Sequence, residues 1–349
     1  MTSPSRQFLR QCRPAFLLAA LALLAVGTPP ASAALRVAVI SDLNGSYGST
    51  RYEPTVPLAV RRLVELKPDL VISTGDMIAG QRLHPPLTAP AIEAMWTSFH
   101  ATVTEPIAAA RIPFAVTPGN HDASAYETFA LERQTYRDQW LERRPDVRFV
   151  DERDYPFRYA FALGGTLFIS LDVTRVGVLD AEQKRWLDTL LRREAGQFRH
   201  RIVFSHLPVY PFTRGRETEV TADHGLEGIL REHDVELYLS GHHHAFYPGY
   251  RAGIRFVSQA CLGAGPRALI GGSARSERAI TIIDIADTGR ISVEALAAPD
   301  FTREIERTTL PPQIATRYGT LVRDDLSDSP GLPPAARPAK PTAPASVQP

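Results

Sequence analysis

Five short polar motifs, each closing an apolar run that reads as a β-strand, constrain this 349-residue chain more than any other feature. They are Asp42-Leu43-Asn44, Gly75-Asp76, Gly119-Asn120-His121-Asp122, Ser205-His206-Leu207-Pro208 and Gly241-His242-His243-His244. The runs before them span residues 37–40, 70–72, 114–116, 202–204 and 235–239. A strand that carries Asp, Asn or His to its C-terminal end and then stops at Gly or Pro builds a site on a sheet edge. Oxygen and imidazole nitrogen are the donors that borderline divalent metals take. A lone Asp in such a place is normally a loop cap. Five such endings in series, each separated by a strand–helix unit, argue for one shared site.

Between residue 35 and about residue 298 strands alternate with helical patterns, which makes the fold class α/β. Helices are expected over 54–66, 90–110, 123–141 and 180–191, the last with Asp180 as cap and Trp186, Leu187, Leu190 and Leu191 on the core side. Residues 157–163 and 166–171 read as a hairpin through Gly164-Gly165. Late strands at 254–258, 279–285 and 290–295 suggest a second sheet with local pairing.

The two ends are unlike the middle. Arg6, Arg10 and Arg13, an apolar stretch over 15–26 and Ala31-Ser32-Ala33 form the three parts of a cleavable export signal over 1–33. The apolar stretch is short for a bilayer span, so no stable membrane insertion is expected after cleavage, and the location expected is periplasmic or secreted. The segment holds three arginines and no acid, so its removal takes the formal charge from +1 to −2. A near-neutral chain gives no electrostatic footprint for nucleic acid. Cys12 leaves with the signal, and Cys261 alone remains, so no intramolecular disulfide is possible; a small buried hydrophobe is the expected role. A single folded domain is expected over 34–310. The extension over 311–349 is Pro/Ala-rich near its end, with Arg337 and Lys340 the only charges after residue 329, and is expected to be disordered from about 328.

In order and spacing, the five motifs resemble the calcineurin-like metallophosphoesterase superfamily, whose pattern runs D-x-H, GD, GN[HD], H and GHxH. The resemblance extends from Asp42 to His244 and departs at one place, where D-x-N puts Asn44 in the usual His position. It implies a four-layer α-β-β-α sandwich of two mixed sheets, with a dinuclear metal site on the sheet rim and 34–310 as the catalytic domain. It also implies an exported enzyme that hydrolyses small-molecule phosphate esters by attack of a metal-bound hydroxide, without a covalent intermediate. No G-x-S-x-G nucleophile motif is present, in keeping with that. The cofactors implied are two divalent metal ions such as Mn, Fe or Zn. Asp42 and His244 would hold the first, with Asn44 in the variant slot; Asp76 would bridge; Asn120, His206 and His242 would complete the second. His121 would protonate the leaving oxygen, with Asp122 either orienting it or capping a helix.

An amide oxygen is a harder, neutral donor than imidazole, so Asn44 would weaken or change the first metal; the plainer role is to cap the loop over 45–52. His243 would point away from its neighbours on an extended segment and is left out. Loops at 81–88, 210–221 and 261–267 are expected to set specificity, with Arg214, Arg216 and Arg267 as candidate contacts for an anion. Alternatives are a phosphodiesterase acting on nucleotides or cyclic nucleotides and a non-catalytic metal- or ligand-binding relative. Retention of His121 argues against the second, because a binder needs no proton donor.

Overall fold

The computed structural model describes Met1, residues 33–263 and residues 265–327. The export signal expected over 1–33 lies outside the described residues except at its two ends, and so does the tail from 328 onward. No described helix is long and apolar enough to cross a membrane.

The first half of the chain runs β1 (Ala33–Ile40), α1 (Thr55–Leu66), β2 (Leu70–Ser73), α2 (Ala89–Phe99), α3 (Glu105–Ala109), β3 (Phe114–Val116), α4 (Asn120–Ala123) and α5 (Ala130–Glu142). Then come β4 (Arg148–Asp154), β5 (Arg158–Leu163), β6 (Thr166–Ser170), α6 (Ala181–Glu194), β7 (His200–Ser205), α7 (His224–Glu232) and β8 (Leu237–Ser240). The last part is β9 (Tyr247–Arg251), β10 (Ile254–Ser258), β11 (Ala279–Ala286), β12 (Ile291–Ala297), β13 (Arg303–Glu304), β14 (Gln313–Thr316), β15 (Gly319–Arg323) and α8 (Asp324–Ser327).

These strands make two mixed sheets, a six-stranded one in the order β13-β12-β11-β1-β2-β3 and a nine-stranded one in the order β14-β15-β9-β10-β8-β7-β6-β5-β4. Within the first, β1, β2 and β3 are parallel; within the second, β6, β7, β8 and β10 are parallel. Side chains alternate across a strand, and the second sheet uses both faces. Tyr159, Phe161, Phe204 and Leu239 share a core with Val37, Val39 and Ile72 of the first sheet. Their sequence neighbours Ala160, Val203 and Tyr238 pack on the other side with Leu187 and Leu190 of α6 and Leu226 and Leu230 of α7. Burying a side chain of this size is worth roughly 1.5–3 kcal/mol, so the two faces together hold the sheets and helices in layers. Polar bridges fix the alignment: the Tyr159 hydroxyl accepts from Val116 N–H (3.0 Å) and donates to Val116 C=O (2.6 Å), and Thr117 Oγ1 donates to Leu171 C=O (2.9 Å).

The structure revises four sequence expectations, two through strand pairing and two through breaks in helices. The late strands do not form a sheet of their own: β10 runs beside β8 in the large sheet, whereas β11 pairs with β1 and extends the first. The helix expected over 90–110 passes through a π-helical turn at His100–Thr104 just before Pro106. Proline lacks the N–H that a continuous helix requires and clashes with the preceding turn, so the helix changes register there. The helix expected over 123–141 is broken at Ser124, and the Ala123 carbonyl at the break accepts from Arg133 Nη1 (2.8 Å). Finally, β14 and β15 continue the folded unit past residue 310, because β15 pairs with the open edge of β9. Asp180 caps α6 as expected, accepting from Gln183 N–H (2.8 Å).

Asp223 caps α7 and ties it to α6. It accepts from Gly225 and Leu226 N–H, from Leu179 N–H (3.0 Å) and from Lys184 Nζ (3.0 Å). Burial opposes its charge, but Lys184 and the peptide donors outweigh burial and hold the carboxyl below its ordinary value. Its contribution is therefore complete above the unfolded Asp value and is lost as pH falls through the lower folded one. Asp223→Ala is expected to cost about 1–3 kcal/mol at pH 7. In urea titrations the gap to the parent protein should narrow below about pH 4; a gap independent of pH would refute the charge-assisted role.

Candidate metal centre

All five motifs sit where parallel strands end: Asp42 after β1, Asp76 after β2, Asn120 after β3, His206 after β7, and His242 and His244 after β8. The two sheets point these ends at one rim. Four of the residues, Asp42, Asp76, His242 and His244, hold left-handed backbone with φ of 52°, 56°, 66° and 54°. Such conformations cost energy for residues other than glycine and persist where the surrounding fold imposes them. Here the turn throws the side chain inward immediately after the strand. The motif glycines allow the loops to touch. A Cβ on Gly119 would lie 2.0 Å from Asp76 N, and one on Gly241 would lie 2.3 Å from Ser41 Oγ.

The donors converge in two groups, Asp76 with His206 and His242, and Asp42 and Asp76 with His244. His206 Nε2 lies 2.8 Å from Asn120 Oδ1, 3.3 Å from Asp76 Oδ2 and 3.3 Å from His242 Nδ1. His244 Nε2 lies 3.0 Å from Asp42 Oδ1. The ring nitrogens on the far side are all engaged. His206 Nδ1 donates to the Thr74 carbonyl (2.8 Å), His244 Nδ1 to the Gly265 carbonyl (3.0 Å) and His242 Nε2 to Glu219 (2.8 Å). Partners of this kind orient the rings and turn the second nitrogen inward, as around ligated metals. Behind Asp42, Thr74 Oγ1 donates to Ser41 Oγ (2.6 Å), which donates to Asp42 Oδ2 (2.5 Å).

The inward face is thus made of carboxylate oxygens, an amide oxygen and ring nitrogens whose other proton is already committed. Lone pairs this close need a positive charge among them. The family model for calcineurin-like phosphoesterases matches residues 35–246. The chain belongs to this family. Its members are metal-dependent phosphoric ester hydrolases that use two divalent metal ions, and the donor set here suits them: two carboxylates and three imidazoles in two groups that share Asp76.

Solved structures agree on the fold. The protein is similar to a dimetal phosphatase from Danio rerio, with a TM-score of 0.54 and 15% identity over 78% of this chain and 98% of that one. It is similar as well to a purple acid phosphatase from yellow lupin (Lupinus luteus) seeds, with a TM-score of 0.57 and 16% identity over 75% of this chain and 51% of that one. A third is GAP50, the anchor in the inner membrane complex of Plasmodium, with a TM-score of 0.50 and 14% identity over 75% of this chain and 84% of that one. At these identities the likeness is one of fold. No curated protein matches the sequence significantly.

Charge states follow from the geometry. Burial pulls the His206 and His244 rings down, but Asp76 and Asp42 more than reverse it, raising them to about 9 and about 10. Burial lowers His242 to about 4, where its N–H to Glu219 is a neutral donor. Burial works to raise Asp42 and Asp76 as well, yet His244 and His206 hold both below the ordinary range. Glu219, raised by burial and lowered more by His242 and Arg216, sits at about 2.

His121 stands beside these groups, 3.9 Å from Asp76 Oδ2 through Nε2, with its N–H on Asp76 Oδ1 (2.9 Å). The ring is oriented by the Gly80 carbonyl, 2.9 Å from Nδ1, and lies 5.2 Å from the exposed Tyr47 ring. Asp122 does not orient it. That carboxyl is buried under the loop, accepting from Met77 (2.7 Å), Ile78 (2.8 Å) and Gly119 (3.2 Å) N–H, and burial followed by Asp76 lifts it to about 7. Asn44 is tied to the Asp76 loop by its N–H on the Asp76 carbonyl (3.1 Å), with its side chain buried. Two donors of the 45–52 loop are engaged within the fold, Gly48 N–H on Ala79 C=O and Ser49 N–H on Ser46 C=O.

Glu219 escaped the sequence reading, and His243, which points away from its neighbours as expected, has a structural task that the reading missed. Glu219 lies in the expected specificity loop, where no local pattern marks it as the partner of a histidine 23 positions on. His243 is buried and accepts from Phe212 (3.0 Å) and Thr213 (3.3 Å) N–H, clamping that loop beneath the site. Cys261 is buried, as expected, forms no disulfide among the described residues, and interacts with the His244 ring.

Gly119→Ala should lower stability by about 3 kcal/mol or more, because its Cβ meets backbone rather than a yielding side chain. The variant should also take up less metal by mass spectrometry; full stability and full uptake would show that the close approach of the loops is dispensable.

Proposed function

We propose that this chain is an exported phosphoesterase acting on small-molecule phosphate esters at the rim formed by the five strand ends. The observation that carries the reading is the pair of inward ring nitrogens, His206 Nε2 and His244 Nε2, each turned toward carboxylate oxygen in a buried site. Asp42, His244 and Asn44 are assigned to the first metal, Asp76 to both, and Asn120, His206 and His242 to the second. When bound, the pair of dications supplies an activated water and shields the phosphoryl charge.

The chain's own groups do the rest. Asp76, common to both donor groups, would help hold both metals and offset the repulsion between them. Thr74, Gly265 and Glu219 hold the three imidazoles at fixed angles, so that little reorganisation accompanies the reaction. His121 is assigned to the leaving group. Its Nδ1 is held by the Gly80 carbonyl, which leaves Nε2 to deliver a proton to the departing oxygen. Export is supported by the basic, apolar and Ala-Ser-Ala parts of residues 1–33.

Purified protein stripped by chelator should lose hydrolysis of p-nitrophenyl phosphate and regain it when Mn, Fe, Zn, Co or Ni is restored singly. Asp76→Asn and His121→Ala should keep the fold, with His121→Ala lowering kcat by about 10²–10⁴-fold. Normal turnover in either variant would overturn the assigned roles. For export, the mass of the protein recovered from outside the cytoplasm should correspond to cleavage after Ala33; a chain retaining Met1 in that fraction, or none there, would refute it.

A further inference from the structure

Two arginines flank the outer side of the donor cluster. Arg216 pairs with Glu219 and comes within 3.2 Å of His242 Nε2. Arg267 is positioned by its main chain, its N–H donating to the His244 carbonyl (3.3 Å) and its carbonyl accepting from Ser276 N–H (2.7 Å). Its guanidinium is half-buried and makes no hydrogen bond or ion pair with any described residue, and its Nε is fully buried without a partner. Burial, then the like charge of Arg216, depresses its ionisation, while Glu219 and Asp42 act the other way. Glu219 is already engaged by His242 and Arg216. A half-buried guanidinium whose Nε has no partner is unfavourable until an oxyanion completes the group.

Position decides which oxyanion. His242 turns Nδ1 toward His206 at the centre and Nε2 toward Glu219 and Arg216, so Arg216 lies outside the donor cluster by the width of an imidazole. Arg267 is tied to His244 by a main-chain hydrogen bond and lies within electrostatic reach of the same Arg216–Glu219 pair. A phosphoryl group undergoing hydrolysis belongs inside the cluster. The group that reaches the arginines is therefore a different part of the same molecule. We propose that Arg267, together with Arg216, forms a subsite for a second oxyanion of the substrate, so that the enzyme favours phosphate esters that also carry a carboxylate or a further phosphate. This rests on the phosphoesterase reading above. Guanidinium suits the task because its planar fork matches carboxylate and phosphate oxygens.

The test compares 3-phosphoglycerate with glycerol 3-phosphate, a pair matched except for the carboxylate, in the metal-loaded full chain. The parent should show the higher kcat/KM for 3-phosphoglycerate. Arg267→Ala should reduce that preference by about tenfold or more, mainly through KM, as expected for loss of a charge-assisted contact. Arg267→Lys should restore part of it. An equal loss on both substrates would place Arg267 on the phosphoryl group, and no preference in the parent would remove the subsite; either result overturns the proposal. If no ester is turned over with any metal, the phosphoesterase reading fails on its own. Calorimetric titration of 3-phosphoglycerate into the parent and Arg267→Ala then decides the subsite separately, weaker binding in the variant supporting it and equal binding overturning it.

Discussion

His206 Nε2 faces the Asn120 amide oxygen at 2.8 Å and Asp76 Oδ2 at 3.3 Å, while its other nitrogen is held by the Thr74 carbonyl. With the Nδ1 proton committed, that contact is repulsive unless a proton or a metal supplies positive charge on the inner side. His244 repeats the arrangement against Asp42 at 3.0 Å, with the Gly265 carbonyl behind it. The high ring values near 9 and 10 and the low carboxyl values are two aspects of this one constraint. Nearly everything else at the rim keeps these lone pairs from moving apart.

Two devices hold them. Left-handed turns at Asp42, Asp76, His242 and His244 aim side chains inward within four residues of a strand end. The cores then fix the strand ends themselves, since Tyr159 ties the second sheet to Val116 of the first. A shift between the sheets would have to break buried hydrogen bonds as well as apolar contacts, so the site inherits the rigidity of the sandwich.

The outer wall depends on the 210–221 loop. His243, between two inward-facing histidines, turns the other way and accepts from Phe212 and Thr213 N–H. The loop then delivers Glu219 to the outer nitrogen of His242, and Arg216 with it. Scaffold and site are thus joined through three consecutive histidines with different tasks, and the 210–221 loop is anchored directly to the donor cluster.

Much of this follows from local pattern. The α/β class came from strand–helix alternation, and a shared site from Asp, Asn and His at strand ends beside glycine. The seven expected donor positions and the role of His121 came from the resemblance of those motifs to the family pattern. A strand places its terminal residue predictably, and few residue types offer these donor atoms. Sheet membership was not local: residues 254–258 and 279–295 have similar apolar runs, yet β10 joins β8 while β11 joins β1. Such pairing is settled by which edges are open once the layers pack. The same holds for Glu219 on His242, Gly80 on His121, and Arg267 beside Arg216. Sequence alone determined which groups can bind a metal and where their strands end, because donor chemistry and strand patterning belong to single residues and short runs. Tertiary structure alone decided their orientation, their proton states and the arginines beside them, because those depend on contacts between loops far apart in the chain.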